Sequence, residues 1–424
     1  MGLTLITGFL LLVSPADCPA QYDFCAQVGT GSGSVDLRTL HLSEDGSFIE
    51  SDSVQTIGPV SSSLLVDPRG RWIHVPLGTE IGELFAVFDN DTLLSKDKLD
   101  DKCYEDSHVA LAPGGTGFIG SETFDPDEEI YLRFYAVSAE CVITPALPSF
   151  EFSASEHLPF ALVVSQVGNC TILAQMRNVH FTYHMDPDGS ISLPTPEIAW
   201  GTEREYTSQS MGISRDGRLV VSAGNGDLFD AVSLWVDADG TVMQVDTLSV
   251  DGLLAGGGIE SVMISPLREW VIFHGNSSTV CWNLNPDGSF AGEKWSTDAT
   301  ANFGLADLSA DGRVVIVGHL ADGWKLSILR LSPTGDLDSV TTHETSLPHV
   351  PLKFITRRVP GDTNGDGWLD ITDVVTLINH ISLGTDIPNP VDFDHSDVDR
   401  DGDRDDADVQ TLVDLILTQV SPLP

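Results

Sequence analysis

Over most of the chain, apolar and polar positions alternate in short runs, and glycine-centred turns break the runs. Four segments share one design: LLVDPRGRWIHVPL from Leu64, MGISRDGRLVVSAG from Met211, VMISPLREWVIFHG from Val262 and LADLSADGRVVIVGH from Leu305. Each reads as a short strand, a polar turn and a β-branched strand. A second set alternates with the first: LRTLHLSEDGSFIE, VHFTYHMDPDGSIS, VSLWVDADGTVMQV, VCWNLNPDGSFAG and LSILRLSPTGDLDS. In these hairpins the Gly supplies a positive-φ corner, and Asp, Asn or Pro before it opens the turn.

The first pattern recurs near residues 64, 108, 162, 211, 262 and 305, with weaker forms in HVALAPGGTGFIGSE and LVVSQVGNCTILAQ. A spacing of about 40 to 55 residues is the length of one four-stranded propeller blade. One such sheet cannot bury both faces by itself, so blades stack around an axis. Two end pieces lack a partner: LRTLHLSEDGSFIE has no first hairpin before it, and LKFITRRV, residues 352–359, has no second hairpin after it. Joined, they predict a seven-bladed ring closed by both termini over residues 35–359. An array of two-sheet sandwiches fits less well. At Ser214–Arg218 and Ser309–Arg313, both S-x-D-G-R, the domain resembles the lactonase-type and WD-repeat-like β-propellers of bacteria. That class includes enzymes, binding platforms and assembly factors.

The last part of the chain has a different period. GDTNGDGWLDITDVV and SDVDRDGDRDDADVQ lie 35 residues apart. The first places Asp362, Asn364, Asp366, Asp370 and Asp373 at loop positions 1, 3, 5, 9 and 12, with Gly367 at the sharp turn and the Trp368 carbonyl at position 7. The second repeats this with Asp397, Asp399, Asp401, Gly402, Asp403, Asp405 and Asp408. Calcium wants six to eight hard oxygens, and this spacing wraps a backbone around one ion. Two ions are therefore expected. Val374, Leu377, Ile378 and Ile381 then recur at helical spacing, as do Val409, Leu412, Val413 and Ile416, which predicts two helices packed on each other. No helix is expected before either loop, so the swing of a sensor EF-hand is unavailable.

A duplicated unit of loop plus one helix resembles a type I dockerin, over residues 361–417. The resemblance implies a calcium-folded, EF-hand-like module that docks onto a cohesin domain of a scaffold or cell surface. It implies that the pair before each position-12 Asp, Ile371-Thr372 and Asp406-Ala407, reads the partner. The two pairs differ, which breaks the equivalence of the two docking modes seen in some dockerins. Dockerins also commonly accompany polysaccharide-degrading enzymes. The expected fold class is thus mainly β, a seven-bladed propeller with a small helical calcium-loop module, and a tail at 418–424.

Charge narrows the partners. The 424 residues hold 63 acidic and 21 basic side chains, a formal net charge of −42. No basic region could match a phosphate backbone or an anionic membrane, so neither nucleic acid nor a membrane surface is an expected partner. From residue 361 on there are 15 acidic and 2 basic residues. With both calcium loops empty, that excess should repel and leave the unit largely unfolded.

The apolar run LTLITGFLLLVSPA, residues 3–16, reads as a signal peptide ending in small residues, although no Lys or Arg precedes it. The expectation is a secreted, extracellular protein without a membrane span, with residues 17–34 as a flexible lead-in. Six cysteines suit export. Cys18 with Cys25 and Cys103 with Cys141 are the favoured local bridges, and Cys170 and Cys281 are expected as buried thiols.

No catalytic motif stands out in the propeller. There is no G-x-S-x-G elbow and no zinc spacing. His180 and His184 share a strand face, and half-exposed strand residues explain them. Asp186–Gly189 and Asp237–Gly240 read as hairpin turns rather than ion sites. Glu260, Glu203 and Glu205 are the acids to inspect for paired-carboxylate chemistry. The favoured function is a binding or recognition role, with carbohydrate as a possible ligand, in polysaccharide breakdown. The alternatives are a glycoside-active or lactonase-like hydrolase carried by the dockerin, or a tail that is only a calcium-stabilised lock.

Overall fold

The computed structural model describes residues 22–355 apart from a set of turns and inter-strand loops, and after them Thr363, residues 371–383, Val398 and residues 405–419. The expected signal peptide lies outside the described residues. The chain divides into two compact units, Tyr22–Arg357 and a second that holds Arg358–Pro424 with Met1–Gln21.

Among the described residues, the first unit is built of antiparallel strands alone. Six sheets each use one continuous stretch of chain. The first has β4 Leu65–Val66, β5 Trp72–Leu77, β6 Glu80–Val87 and β7 Leu93–Leu99; the second has β8 Val109–Leu111, β9 Gly117–Phe124, β10 Glu129–Val137 and β11 Ile143–Pro145, with β12 Phe150–Phe152 also on β10. The third has β13 Ala161–Ser165, β14 Thr171–Met176, β15 Val179–Met185 and β16 Ile191–Ala199; the fourth has β17 Gln209–Ile213, β18 Leu219–Gly224, β19 Asp230–Val236 and β20 Val242–Ser249. The fifth has β21 Ile259–Ile264, β22 Trp270–Gly275, β23 Thr279–Leu284 and β24 Phe290–Thr297; the sixth has β25 Ala306–Leu308, β26 Val314–Leu320, β27 Trp324–Leu331 and β28 Leu337–Glu344.

The remaining sheet joins the two ends of the unit. Its order is β29 His349–Ile355, β1 Tyr22–Gly29, β2 Val35–Leu42 and β3 Phe48–Thr56. Residues 22–29, expected within a flexible lead-in, are therefore a strand. YDFCAQVG is placed by β29 on one edge and β2 on the other, in registers such as Cys25 with Lys353 and with Thr39. That partner lies more than 300 residues away, out of reach of local pattern. The first strand of each sheet neighbours the first strand of the next, from β4 through β8, β13, β17, β21 and β25 to β29, and β29 returns to β4. The architecture is a β-propeller.

Its core lies between sheets rather than in one central mass. Leu219 and Val221 of β18 meet Val271 and Phe273 of β22. Ile272 and Cys281 meet Val315, Val317 and Leu329. Ala26, Leu40 and Leu352 of the terminal sheet pack on Val314 and Ile328, and Cys25 and Leu37 pack on Ile73 and Val75. The unit thus buries the alternate strand faces that the sequence pattern exposed.

The S-x-D-G-R turns explain their own composition. The Ser214 hydroxyl donates to Asp216 at 2.7 Å and accepts the Leu219 N–H at 2.9 Å, while Gly217 turns the corner at φ 72°. Ser309, Asp311, Val314 and Gly312 repeat the arrangement. In the fifth sheet Arg268 occupies the glycine position at φ 58°. Its guanidinium lies 3.2 Å from Asp216 of the fourth sheet and 5.0 Å from the Trp235 ring centroid. A left-handed non-Gly residue is costly, and these two contacts across sheets hold it there.

Candidate functional site

Among the described residues, the second unit has two helices, α1 Ile371–Leu383 and α2 Asp406–Gln419. Val374, Leu377, Val398 and Leu412 form its buried core, with Ile381, Val409, Val413 and Ile416 against them. Ile378, expected in that stripe, is instead 41% exposed. Val374, Leu377 and Ile381 already fill the inner face of α1, and Ile378 falls outside it.

Position 12 of each loop is an aspartate at the start of a helix, and both are buried: Asp373 is 0% exposed and Asp408 1%. Each is tied to position 2 of its own loop. The Thr363 hydroxyl donates to the Asp373 carbonyl oxygen at 2.7 Å. The Val398 N–H donates to Asp408 Oδ1 at 2.6 Å. Thr363 and Val398 are thirty-five residues apart, as are Asp373 and Asp408, so both repeats tie position 2 to position 12, the first through a hydroxyl and a backbone carbonyl and the second through an N–H and a carboxylate.

The start of α2 shows how the second loop is closed. Asp405 Oδ1 accepts the Ala407 N–H at 2.6 Å, and the Asp405 N–H donates to Asp408 Oδ2 at 2.8 Å. This is a reciprocal helix cap, in which two otherwise orphan N–H groups find carboxylate acceptors. Both acids also sit at the negative-favouring end of the helix dipole. The D-x-x-D spacing at 405–408 could have announced the cap from sequence; the contact with Val398 could not.

The donor set fits a divalent cation. Asp373 and Asp408 are carboxylates with almost no exposure to water, and a buried charge requires compensation. The loop ends they close are the ends between which the other oxygen-bearing positions fall, and an all-oxygen set suits a hard ion such as calcium. Of those positions, Asp362, Asn364, Asp366, Trp368 and Asp370, and Asp397, Asp399, Asp401 and Asp403, lie outside the described residues. Asp405 is exposed at position 9.

The expected partner-reading pairs are at the two helix starts. Ile371 is 65% exposed, and Asp406 and Ala407 are exposed. Thr372 lies in the first turn of α1.

In the propeller, Glu260 is on β21, the first strand of its sheet, and is half-buried. Burial pushes its carboxyl above the ordinary carboxylate range. Glu203 and Glu205 lie outside the described residues. His184 places Nδ1 3.5 Å from the Thr171 hydroxyl of the neighbouring strand; the side chain of His180 is not among those described. The turn reading of Asp237–Gly240 holds: Gly240 N–H donates to the Asp237 carbonyl at 2.8 Å, and Asp239 accepts the Thr241 N–H at 2.9 Å. Asp186 N–H likewise donates to the Ser190 carbonyl at 2.8 Å.

The bridge expected between Cys18 and Cys25 is not formed. Cys25 is a free thiol, fully buried, whose sulfur lies 3.5 Å from the Lys353 carbonyl. Its place on β1 turns it inward against Leu37 and Ile355. Cys281 is a buried thiol as expected. Cys18, Cys103 and Cys170 lie outside the described residues.

Comparison with known proteins agrees with this division. Residues 360–417 match the model of the dockerin type I domain. No curated protein matches the chain. Among solved structures, the periplasmic gluconolactonase of Pseudomonas aeruginosa is 14% identical with a TM-score of 0.64, covering 79% of this chain and 99% of its own. A putative 6-phosphogluconolactonase of Bacteroides fragilis is 13% identical with a TM-score of 0.59, covering 81% and 100%. A putative 6-phosphogluconolactonase of Bacteroides uniformis is 14% identical with a TM-score of 0.60, covering 79% and 99%. At such identities the likeness shows the fold. The chain carries a type I dockerin domain at residues 360–417, a calcium-binding module, behind a β-propeller with a lactonase-like fold.

Proposed function

We propose that this protein is an exported recognition propeller, delivered by its dockerin to a cohesin-bearing scaffold or cell surface in a polysaccharide-degrading setting. Each sheet is taken as one blade of a seven-bladed ring, with carbohydrate as the ligand class. The dockerin binds two calcium ions. The first is held by Asp362, Asn364, Asp366, Trp368, Asp370 and Asp373, the second by Asp397, Asp399, Asp401, Asp403, Asp405 and Asp408. The pairs Ile371-Thr372 and Asp406-Ala407 are where a cohesin reads the module. The observation that carries this reading is the dockerin match together with two buried position-12 aspartates at equivalent helix starts.

Calcium titration of the full-length chain by calorimetry tests it, with circular dichroism and a chelator control alongside. Two bound ions with a gain of helix, followed by calcium-dependent binding to members of a recombinant type I cohesin panel, are the expected results. Calcium binding without cohesin binding would favour a tail that only locks the chain.

A second reading is a lactonase-like hydrolase carried by the same dockerin. It is favoured by the gluconolactonase named among the fold neighbours and by the raised carboxyl of Glu260 on a first strand. Hydrolysis of aldonolactones by the purified chain, abolished by Glu260→Gln, would decide for it.

A further inference from the structure

β29 is the last strand before the C-terminal unit. It stands at one end of its sheet, so among the described residues β1 is its one ladder partner, whereas β1 is bonded on both edges. The pairing runs from Ile355 with Asp23 and Phe354 with Phe24 back to His349 with Val28. Six residues, 356–361, join Ile355 to Asp362. A pull transmitted along the chain from the C-terminal unit therefore enters the propeller at Ile355. The other sheets each use one continuous stretch of chain and have no such entry point.

The side chains of β29 reach beyond its own sheet. Leu352 packs with Val314 and Ile328 of the sixth sheet, and Ile355 with Ile73 and Val75 of the first. Asp307 of β25 adds a polar hold. Its Oδ2 accepts the Phe354 N–H at 2.7 Å, and its Oδ1 lies 2.8 Å from Lys353 Nζ. Asp307 thus grips the second and third residues from the loaded end, through bonds that its charge makes stronger than neutral ones.

We propose that β29 is a latched strap: tension on the C-terminal unit peels it from β1 before any other strand of the propeller moves, and Asp307 is the latch that sets the load at which it lets go. The source of the tension rests on the docking function proposed above; the strap itself needs no cohesin. Ladder bonds in an antiparallel pair run perpendicular to the strands. A pull that separates the Ile355 end from Asp23 therefore opens them one pair after another instead of loading all at once. β29 has one ladder to lose and β1 has two, so β29 yields first. Leu352 and Ile355 leave with it, and the sixth sheet parts from the first. Until Asp307 lets go, the load stays at this seam.

Force spectroscopy on the calcium-loaded full-length chain, with handles at its two ends, tests this. The first event from the propeller is expected to be short, freeing about 24 Å of chain for the seven residues of β29. Release of a whole sheet or of the C-terminal unit frees far more. Asp307→Ala is expected to speed the short step about tenfold or more at fixed force, since forced unfolding follows the opening rate. Lys353→Met keeps the N–H acceptor and is expected to speed it less; it carries the test by itself where Asp307→Ala does not fold. Asp216→Ala, which removes the pair with Arg268 between the fourth and fifth sheets, is expected to leave the step unchanged. Absence of the short step, or equal acceleration by Asp216→Ala, would overturn the strap. A short step that neither Asp307→Ala nor Lys353→Met alters would overturn Asp307 as its latch. Failure to bind any cohesin changes none of these outcomes and counts against docking alone.

Discussion

The carboxylate of Asp408 accepts the backbone N–H of Val398 at 2.6 Å and that of Asp405 at 2.8 Å. One buried side chain thus ties the beginning of the second acidic loop to the cap of the helix that follows it. With Asp408 as the calcium ligand proposed above, metal binding and helix formation would share this residue, and occupancy of the loop and order at the start of α2 should change together.

Asp408→Ala is expected to remove both acceptors and leave two N–H groups without them, a loss of about 2 to 5 kcal/mol for the C-terminal unit. Calorimetry on the full chain should then show one calcium site in place of two. The propeller's own unfolding transition should stay where it was. Unchanged calcium stoichiometry with an unchanged helical signal would contradict the role assigned to Asp408.

Asp307 of β25 fastens the strand contributed by the C-terminal end of the propeller. Its Oδ1 lies 2.8 Å from Lys353 Nζ, and its Oδ2 accepts the Phe354 N–H at 2.7 Å, both on β29. Asp307→Ala should destabilise the propeller by about 2 to 4 kcal/mol in urea unfolding, since it strands a half-buried ammonium and an N–H. Lys353→Met removes the ion pair but keeps the N–H acceptor, and should cost less. Equal effects would show that the backbone bond contributes nothing.

Cys25 and Cys281 should resist alkylation in the native protein at pH 8 and react in urea. Burial pushes both thiols up, and for Cys25 the charge of Asp307 adds to it. The folded values lie above the unfolded ones, so their contribution to stability is complete below the ordinary thiol range. It falls as pH rises from that range toward the folded values. Urea midpoints should decline across the alkaline limb, and Cys25→Ser should flatten part of that decline. An identical slope in the variant would remove Cys25 as its source.

Glu260 gives a sign test near neutrality. Its carboxyl is raised by burial alone. The penalty is absent below the ordinary carboxylate range and develops as pH rises through it toward the folded value. Glu260→Gln should therefore stabilise the chain at pH 7 and leave it unchanged at pH 4, measured by thermal unfolding. Destabilisation at pH 7 would mean that the charged form has a stabilising partner.

The two helices and the acidic cap of the second were legible because helices and caps are local. The apolar spacing of Val374, Leu377 and Ile381 lies within a few residues along the chain, and the capping pair Asp405 and Asp408 stands three residues apart. The hairpin turns were legible for the same reason: Ser214 with Asp216 and Gly217 is a motif of adjacent residues. What the sequence determined by itself was therefore the turn chemistry, the alternating strands and the duplicated acidic loop with its helix.

Tertiary structure decided the long-range choices. It made Tyr22–Gly29 a strand by setting YDFCAQVG between β2 and β29, the latter brought from the far end of the unit. It kept Cys25 a thiol by turning it into the packing between sheets. It left Ile378 outside while its repeat partner Val413 went in, because two helices share one small core and their faces need not fill it symmetrically. Local pattern fixes what a residue can do in its own element. Which neighbour covers it depends on chain segments that meet only in the folded protein.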